Sequence, residues 1–243
     1  MKLDFQKTPF VAGALALALV LMTPDARPQG TEPVNADALV LQLRGLPAAL
    51  YPGPLSYLCK PAPSPCPPPP LPPAEIKRQH TYSQLSALGS AGVAALARGL
   101  QNDDASVRSN SALALNVLSD DSLSPDRVAR VDIGAALPAL IVALGSDLRT
   151  GELAAQAIGN LGAAGAAAVP ALVKLLSSDE EGLRNSACIG LRGIGPSAKS
   201  ALPQLTVTLA DPSSNVRGFA RLAIGKIDGS VPNFTVPAPR TCR

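Results

Sequence analysis

The chain has 243 residues, with no tryptophan, three tyrosines and four phenylalanines, too few large side chains for the core of a conventional globular enzyme. Its 47% hydrophobic content is ample for thin helices that stack closely, and its formal net charge of +3 arises outside the centre of the chain. Residues 75–228 hold 14 basic and 14 acidic side chains, which excludes the clustered basic face that nucleic-acid binding needs.

Residues 1–26 read as a secretory signal. Lys2 and Lys7 form a basic start, residues 10–22 are uncharged and apolar, and Pro24 and Ala26 close the stretch. The apolar run is shorter than the ~20 residues a spanning helix requires. A cleaved signal and a periplasmic or secreted protein with no stable membrane span are therefore expected, with an uncleaved anchor as the alternative. Residues 27–74 hold a short helix that Asn35 can cap, followed by a proline-dense stretch, 47–73, that includes Pro67, Pro68, Pro69 and Pro70. Such a stretch is extended and of polyproline type rather than helical. Cys59 and Cys66 lie within it, and in an exported protein they are placed to close a small disulfide loop. The other cysteines read as a buried free thiol, Cys188, and an exposed one, Cys242. With a single histidine, His80, there is no zinc-type ligand set, and neither a metal nor a cofactor is expected. His80 reads as a solvated side chain.

Residues 75–228 are periodic. Segments 93–118, 137–161, 169–194 and 202–227 can be laid over one another, each an apolar run, an acidic turn and an Ala/Leu/Gly-rich helix. Val169 and Leu202 are 33 residues apart, and the first spacing is longer because 119–130 is inserted. A period in that range predicts stacked helical hairpins, none of which buries its apolar face alone. Arg78 stands ten residues before Leu88, as Arg108, Arg184 and Arg217 stand ten before Leu118, Ile194 and Ile227. The segment 75–88 therefore reads as the second helix of a degenerate N-terminal repeat. The remainder, 229–243, carries three prolines and reads as a tail.

The recurring residues are specific. Pro138, Pro170 and Pro203 open the first helices, Val107-Arg108, Leu183-Arg184 and Val216-Arg217 open the second, and Ala154, Ala187 and Ala220 fill a small-residue slot that Ser111 takes in the first copy. Gly162 and Gly195 close the second helices. These units resemble HEAT repeats, especially the short bacterial kind of bilin-lyase-like HEAT proteins. The resemblance implies an all-α, right-handed alpha-alpha superhelix of about four full hairpins plus the degenerate one. It also implies a structural ladder in which Asp103, Asp147, Asp179 and Asp211 face Arg78, Arg108, Arg184 and Arg217, broken at the second full repeat, where Gly151 replaces arginine. Its enzymatic members carry paired His-Glu metal ligands or aromatic and acidic residues in a basic groove. Neither set is present, so no catalytic residue is assigned. A non-catalytic scaffold for a protein or peptide partner is the expected role, with a chromophore (bilin) lyase-like protein or lyase chaperone as the alternative.

Solenoids bind through the concave surface of their second helices. With Leu183, Ala187, Leu191 and Ile194 inward, a 100° step places Leu113, Asn116, Gln156, Asn185, Ile189, Arg192 and Leu222 on the opposite face. Ordinary packing between repeats is the competing reading of that row.

One measurement checks the N-terminal readings. Peptide mapping of exported protein without reductant should find an N-terminus near Arg27 or Gln29 and a Cys59–Cys66 bond contributing about 2–3 kcal/mol of local stabilisation. Free thiols at both positions would contradict the bond, and cytosolic protein still starting at Met1 would contradict export.

Overall fold

The computed structural model describes residues 34–47, 72–120 and 131–230. Residues 1–26, read above as a signal, the bulk of the proline-dense stretch with Cys59 and Cys66, most of the insertion, and the C-terminal residues with Cys242 lie outside the described residues.

Every regular element among the described residues is helical, and the fold is an all-α solenoid. Asn35 caps α1 (Ala36–Leu41), its Oδ1 accepting from the N–H of Asp37 (3.0 Å) and Ala38 (3.3 Å). The second N-terminal helix, α2 (Pro73–Ala87), begins two residues before the boundary read at 75, because proline fits the first turn, where its missing N–H would have no partner. Four hairpins follow: α3 (Ser90–Gly99) with α4 (Ala105–Ser119), α5 (Leu137–Ala143) with α6 (Leu148–Asn160), α7 (Val169–Leu175) with α8 (Glu181–Ile194), and α9 (Leu202–Thr208) with α10 (Ser214–Asp228).

Gly162 and Gly195 take positive φ values of 58° and 66° at the ends of α6 and α8. The chain then runs through 3-10 turns, Gly162–Ala168 and Gly195–Ala201, before α7 and α9 begin. The sequence reading did not separate these turns from the helices, since their alanines suit either conformation. Pro138, Pro170 and Pro203 stand in the first turns of α5, α7 and α9.

The second helices pack in a row, α4 on α6, α6 on α8 and α8 on α10, and each first helix packs against its own second helix. Leu96, Leu115, Leu140, Ile158, Leu172, Leu191, Leu205 and Ile227 form a continuous buried core between the layers. The small-residue slot is fully enclosed at Ser111, Ala154, Ala187 and Ala220. Ser111 Oγ is buried there without a hydrogen-bond partner, and a Cβ on facing Gly99 would lie 2.3 Å from it.

At the α6–α8 seam the close contacts are with backbone. A Cβ on Gly190 would come within 2.7 Å of the Ala155 carbonyl oxygen, and one on Gly193 within 2.4 Å of the Gly159 oxygen. These two helices touch backbone to backbone.

At the N-terminal end Arg78, only 3% exposed, ties the degenerate repeat to the stack. It donates to the Pro47 carbonyl (2.5 Å) and to Asn110 Oδ1 (3.4 Å), and it pairs with Glu75 one turn away on its own helix. Asn110 Nδ2 in turn donates to the carbonyls of Leu43, Leu46 and Ser106, and the Tyr82 hydroxyl donates to the Asn110 carbonyl. This corrects the ladder role expected for Arg78. Its guanidinium is taken up by the Pro47 carbonyl, Asn110 and Glu75 of its own helix rather than by an acid of the next hairpin.

Two glycine substitutions separate seam from surface. Gly193→Ala should destabilise the protein by about 1–3 kcal/mol, because the helices must part to admit one methyl. Gly218→Ala in α10, whose Cβ would meet nothing within 4 Å, should instead stabilise by about 0.5–1 kcal/mol. Equal effects in urea denaturation would contradict the backbone contact.

Candidate binding groove

Arg149, Leu153, Gln156 and Asn160 recur at spacings of four, three and four residues, so they share one face of α6. They form the floor of a cavity of about 380 Å3. Leu113, Asn116 and Asp120 of α4 form one wall, Ile189, Arg192 and Gly193 of α8 the other, and Gly159 leaves part of the floor without a side chain. From Arg149 to Asn160 the floor extends about 16 Å at ~1.5 Å per residue.

The groove gathers five of the seven residues read from the sequence: Leu113, Asn116, Gln156, Ile189 and Arg192. Asn185, one turn before Ile189, and Leu222 on α10 are not among its lining residues. Leu113 and Asn116 are also less open than the helical wheel implied, each only 5% exposed. A wheel treats one helix in isolation, whereas α6 packs along α4 and covers most of both side chains. Arg149, Leu153, Asn160 and Asp120 were missed for the same reason. The signal for the first three was present, as they continue the Gln156 stripe along α6.

A chain of side-chain amides crosses the groove. Asn116 Nδ2 donates to Gln156 Oε1 (3.3 Å), and Asn160 Nδ2 donates to Asn116 Oδ1 (2.9 Å), to the Asn116 carbonyl (3.3 Å) and to Ser119 Oγ (3.1 Å). The Ser119 hydroxyl donates to the Asn116 carbonyl (2.9 Å). Arg149 is paired with Glu152 at 3.5 Å. Arg192 has neither ion pair nor hydrogen bond among the described residues.

The arginines of the second helices bond backbone carbonyls as well as carboxylates. Arg108, Arg184 and Arg217 each turn one Nη1 onto two backbone carbonyls of the turn within their own hairpin: Asn102 and Asp103, Ser178 and Asp179, Asp211 and Pro212, all at 2.8–2.9 Å. Asp103 and Asp179 thus enter through their carbonyl oxygens rather than their carboxylates. The carboxylate rungs run to the next hairpin, Arg108 to Asp147 (2.9 Å) and Arg184 to Asp211 (2.8 Å). No rung leaves the second full repeat, where a Cβ on Gly151 would lie 3.0 Å from both the Leu144 oxygen and Leu183 Cδ2.

Electrostatics follow that geometry. The Arg184 hydrogen bond holds the Asp211 carboxyl below its usual range against some burial, helped by the Ser213 N–H. Burial pushes Asp147 up, but the N–H and hydroxyl of Thr150 together with Arg108 outweigh it, and the net shift is downward. Cys188 is a free, fully buried thiol, pushed up to about 12 mainly by that burial. His80 is exposed. Among the described residues no cluster of three or more His, Cys, Asp or Glu side chains could hold a metal, and no helix is long and apolar enough to cross a membrane.

No protein-family model matches the chain, and no curated protein matches it. Among solved structures, an engineered protein is 27% identical over 64% of this chain and 72% of its own, with a TM-score of 0.51. The complex of CpcE and CpcF of phycocyanin lyase from Nostoc sp. PCC7120 is 25% identical over 63% of this chain, with a TM-score of 0.48, and the chain spans 60% of that lyase chain, less than two thirds. A designed armadillo repeat protein in complex with the peptide (KR)4 is 15% identical over 63% of this chain and 75% of its own, with a TM-score of 0.46. These are likenesses of fold.

The rungs have a pH signature. The Asp147 and Asp211 carboxyls titrate lower folded than unfolded. Their contribution is therefore complete above the unfolded value of ~3.9 and is lost as pH falls through the folded one. Melting temperature should hold steady down to about pH 5 and drop below about pH 4. Asp211→Asn should start lower at neutral pH and lose less on acidification. Parallel acid profiles for the two proteins would contradict the assignment.

Proposed function

We propose that this HEAT-like solenoid is an exported, non-catalytic scaffold that holds a segment of a protein or peptide partner in the groove over α6. The observation that carries this reading is the groove's composition. Apolar Leu113, Leu153 and Ile189 stand beside side-chain amides that can bond a partner's backbone, the usual combination of a recognition cleft. Its length of about 16 Å suits roughly five residues of extended chain at ~3.3 Å each. The lining offers no hydroxyl, thiol or imidazole, and its one carboxylate is Asp120. Export rests on Lys2, Lys7 and the apolar residues 10–22.

Ile189, half-buried in the α8 wall, tests the reading. Ile189→Asp should weaken binding of the partner recovered by cross-linking to the wild-type protein by about 1–3 kcal/mol. Stability should change by less than about 1 kcal/mol, a shift of only a few degrees in melting temperature. Much earlier melting would make Ile189 a packing residue and overturn the assignment. A visible-absorbing chromophore carried by the purified protein would favour the lyase-like role instead.

A further inference from the structure

Four acceptors along the groove are engaged from within the protein. Gln156 Oε1 takes Asn116, Asn116 Oδ1 takes Asn160, and the Asn116 carbonyl and Ser119 Oγ accept from the same amide chain. Of the acidic groups nearby, Glu152 pairs with Arg149, and Asp120 has an interaction of its own. The donors are not balanced in this way. Gln156 Nε2, whose amide oxygen is used, donates to nothing among the described residues. Arg192 is half-buried in the wall, and its guanidinium has no counter-ion among them. Leaving a guanidinium partly desolvated and unpaired is unfavourable. Its equivalent on the neighbouring helix is Gly159, so no side chain from α6 meets it at that level.

We propose that Arg192, with the free amide donor of Gln156, forms a carboxylate-recognition subsite, and that the groove selects a partner segment in which an aspartate or glutamate side chain sits next to an aliphatic one. This rests on the groove reading above and adds the chemistry of the occupant. The carboxylate supplies the acceptors the site lacks and neutralises Arg192, whose planar fork suits two parallel N–H···O bonds. The adjacent aliphatic side chain packs on Leu113, Leu153 and Ile189. A basic segment would bring a second uncompensated cation to Arg192 and is excluded.

The test uses the full chain and three fluorescein-labelled, end-capped peptides, in which leucine alternates with glutamate, with glutamine or with lysine. In anisotropy titrations the glutamate peptide should bind tightest and weaken as salt is raised. Arg192→Gln should reduce its affinity by about 10- to 100-fold and leave the glutamine peptide unaffected, with a melting curve matching wild type. Arg192→Lys should keep the preference for glutamate, and Arg192→Glu should transfer it to the lysine peptide. Glutamine or lysine peptides binding the wild type as well as glutamate, with binding still lost in Ile189→Asp, would overturn acidic selection and leave the groove reading standing. Failure of all three peptides to bind would overturn both.

Discussion

Three glycines at the α6–α8 seam set the spacing on which the stack and its groove depend. Most helix pairs sit 8–10 Å apart because side chains interdigitate between them. Here Gly190 faces the Ala155 carbonyl and Gly193 faces that of Gly159, with no room for a methyl at either contact. Backbone contact of this kind brings Cα–H groups against carbonyl oxygens, a weak attraction that side chains would otherwise prevent. Gly159 and Gly193 also line the cavity, so the seam lies directly beneath the groove. One cluster of missing side chains thus sets both how closely two repeats stack and how deep the floor runs between them.

The arginines keep that stack in register. Each of Arg108, Arg184 and Arg217 satisfies two backbone carbonyls of the turn between the two helices of its own hairpin. The remaining edge of Arg108 and Arg184 reaches the acid of the next hairpin, and in the first case that acid, Asp147, is also the N-cap of α6. The Arg108–Asp147 pair is part-exposed and contributes little energy, while the more buried Arg184–Asp211 pair offsets its own desolvation cost. Their value lies in geometry, because one planar side chain ties the turn of its own hairpin to the helix start of the next. Where Gly151 interrupts the series, the glycine seam and the buried core carry the α6–α8 junction without a rung.

The periodicity made the architecture legible. Prolines in the first turns, glycines of positive φ after α6 and α8, and the enclosed alanine slot all follow from positions that recur in the chain. The 3-10 turns did not show, because runs such as Gly162–Ala168 contain residues indifferent between the two helix types. The arginine partners were half legible. Spacing brought Asp103 and Asp179 close to Arg108 and Arg184, but spacing cannot tell a carboxylate from the carbonyl of the same residue. The groove was legible on α8 and incomplete on α6, since the floor arises only when α4 and α8 rise on either side of it. Arg149 and Asn160 acquire their role from that three-helix arrangement rather than from their own helix.

The positions that repeat and those that do not divide the labour. Equivalent sites in the alanine slot read Ser111, Ala154, Ala187 and Ala220, nearly uniform, as stacking requires. Equivalent sites on the open side read Leu113, Gln156, Ile189 and Leu222, then Asn116, Gly159, Arg192 and Gly225, with no common chemistry. A solenoid can vary this face from repeat to repeat because no neighbouring hairpin has to pack on all of it. The amide chain between α4 and α6, and the Arg192 guanidinium with no partner among the described residues, occur where the periodicity fails, on the three helices that line the groove. The irregular face therefore carries the specificity, and the regular one holds it in place.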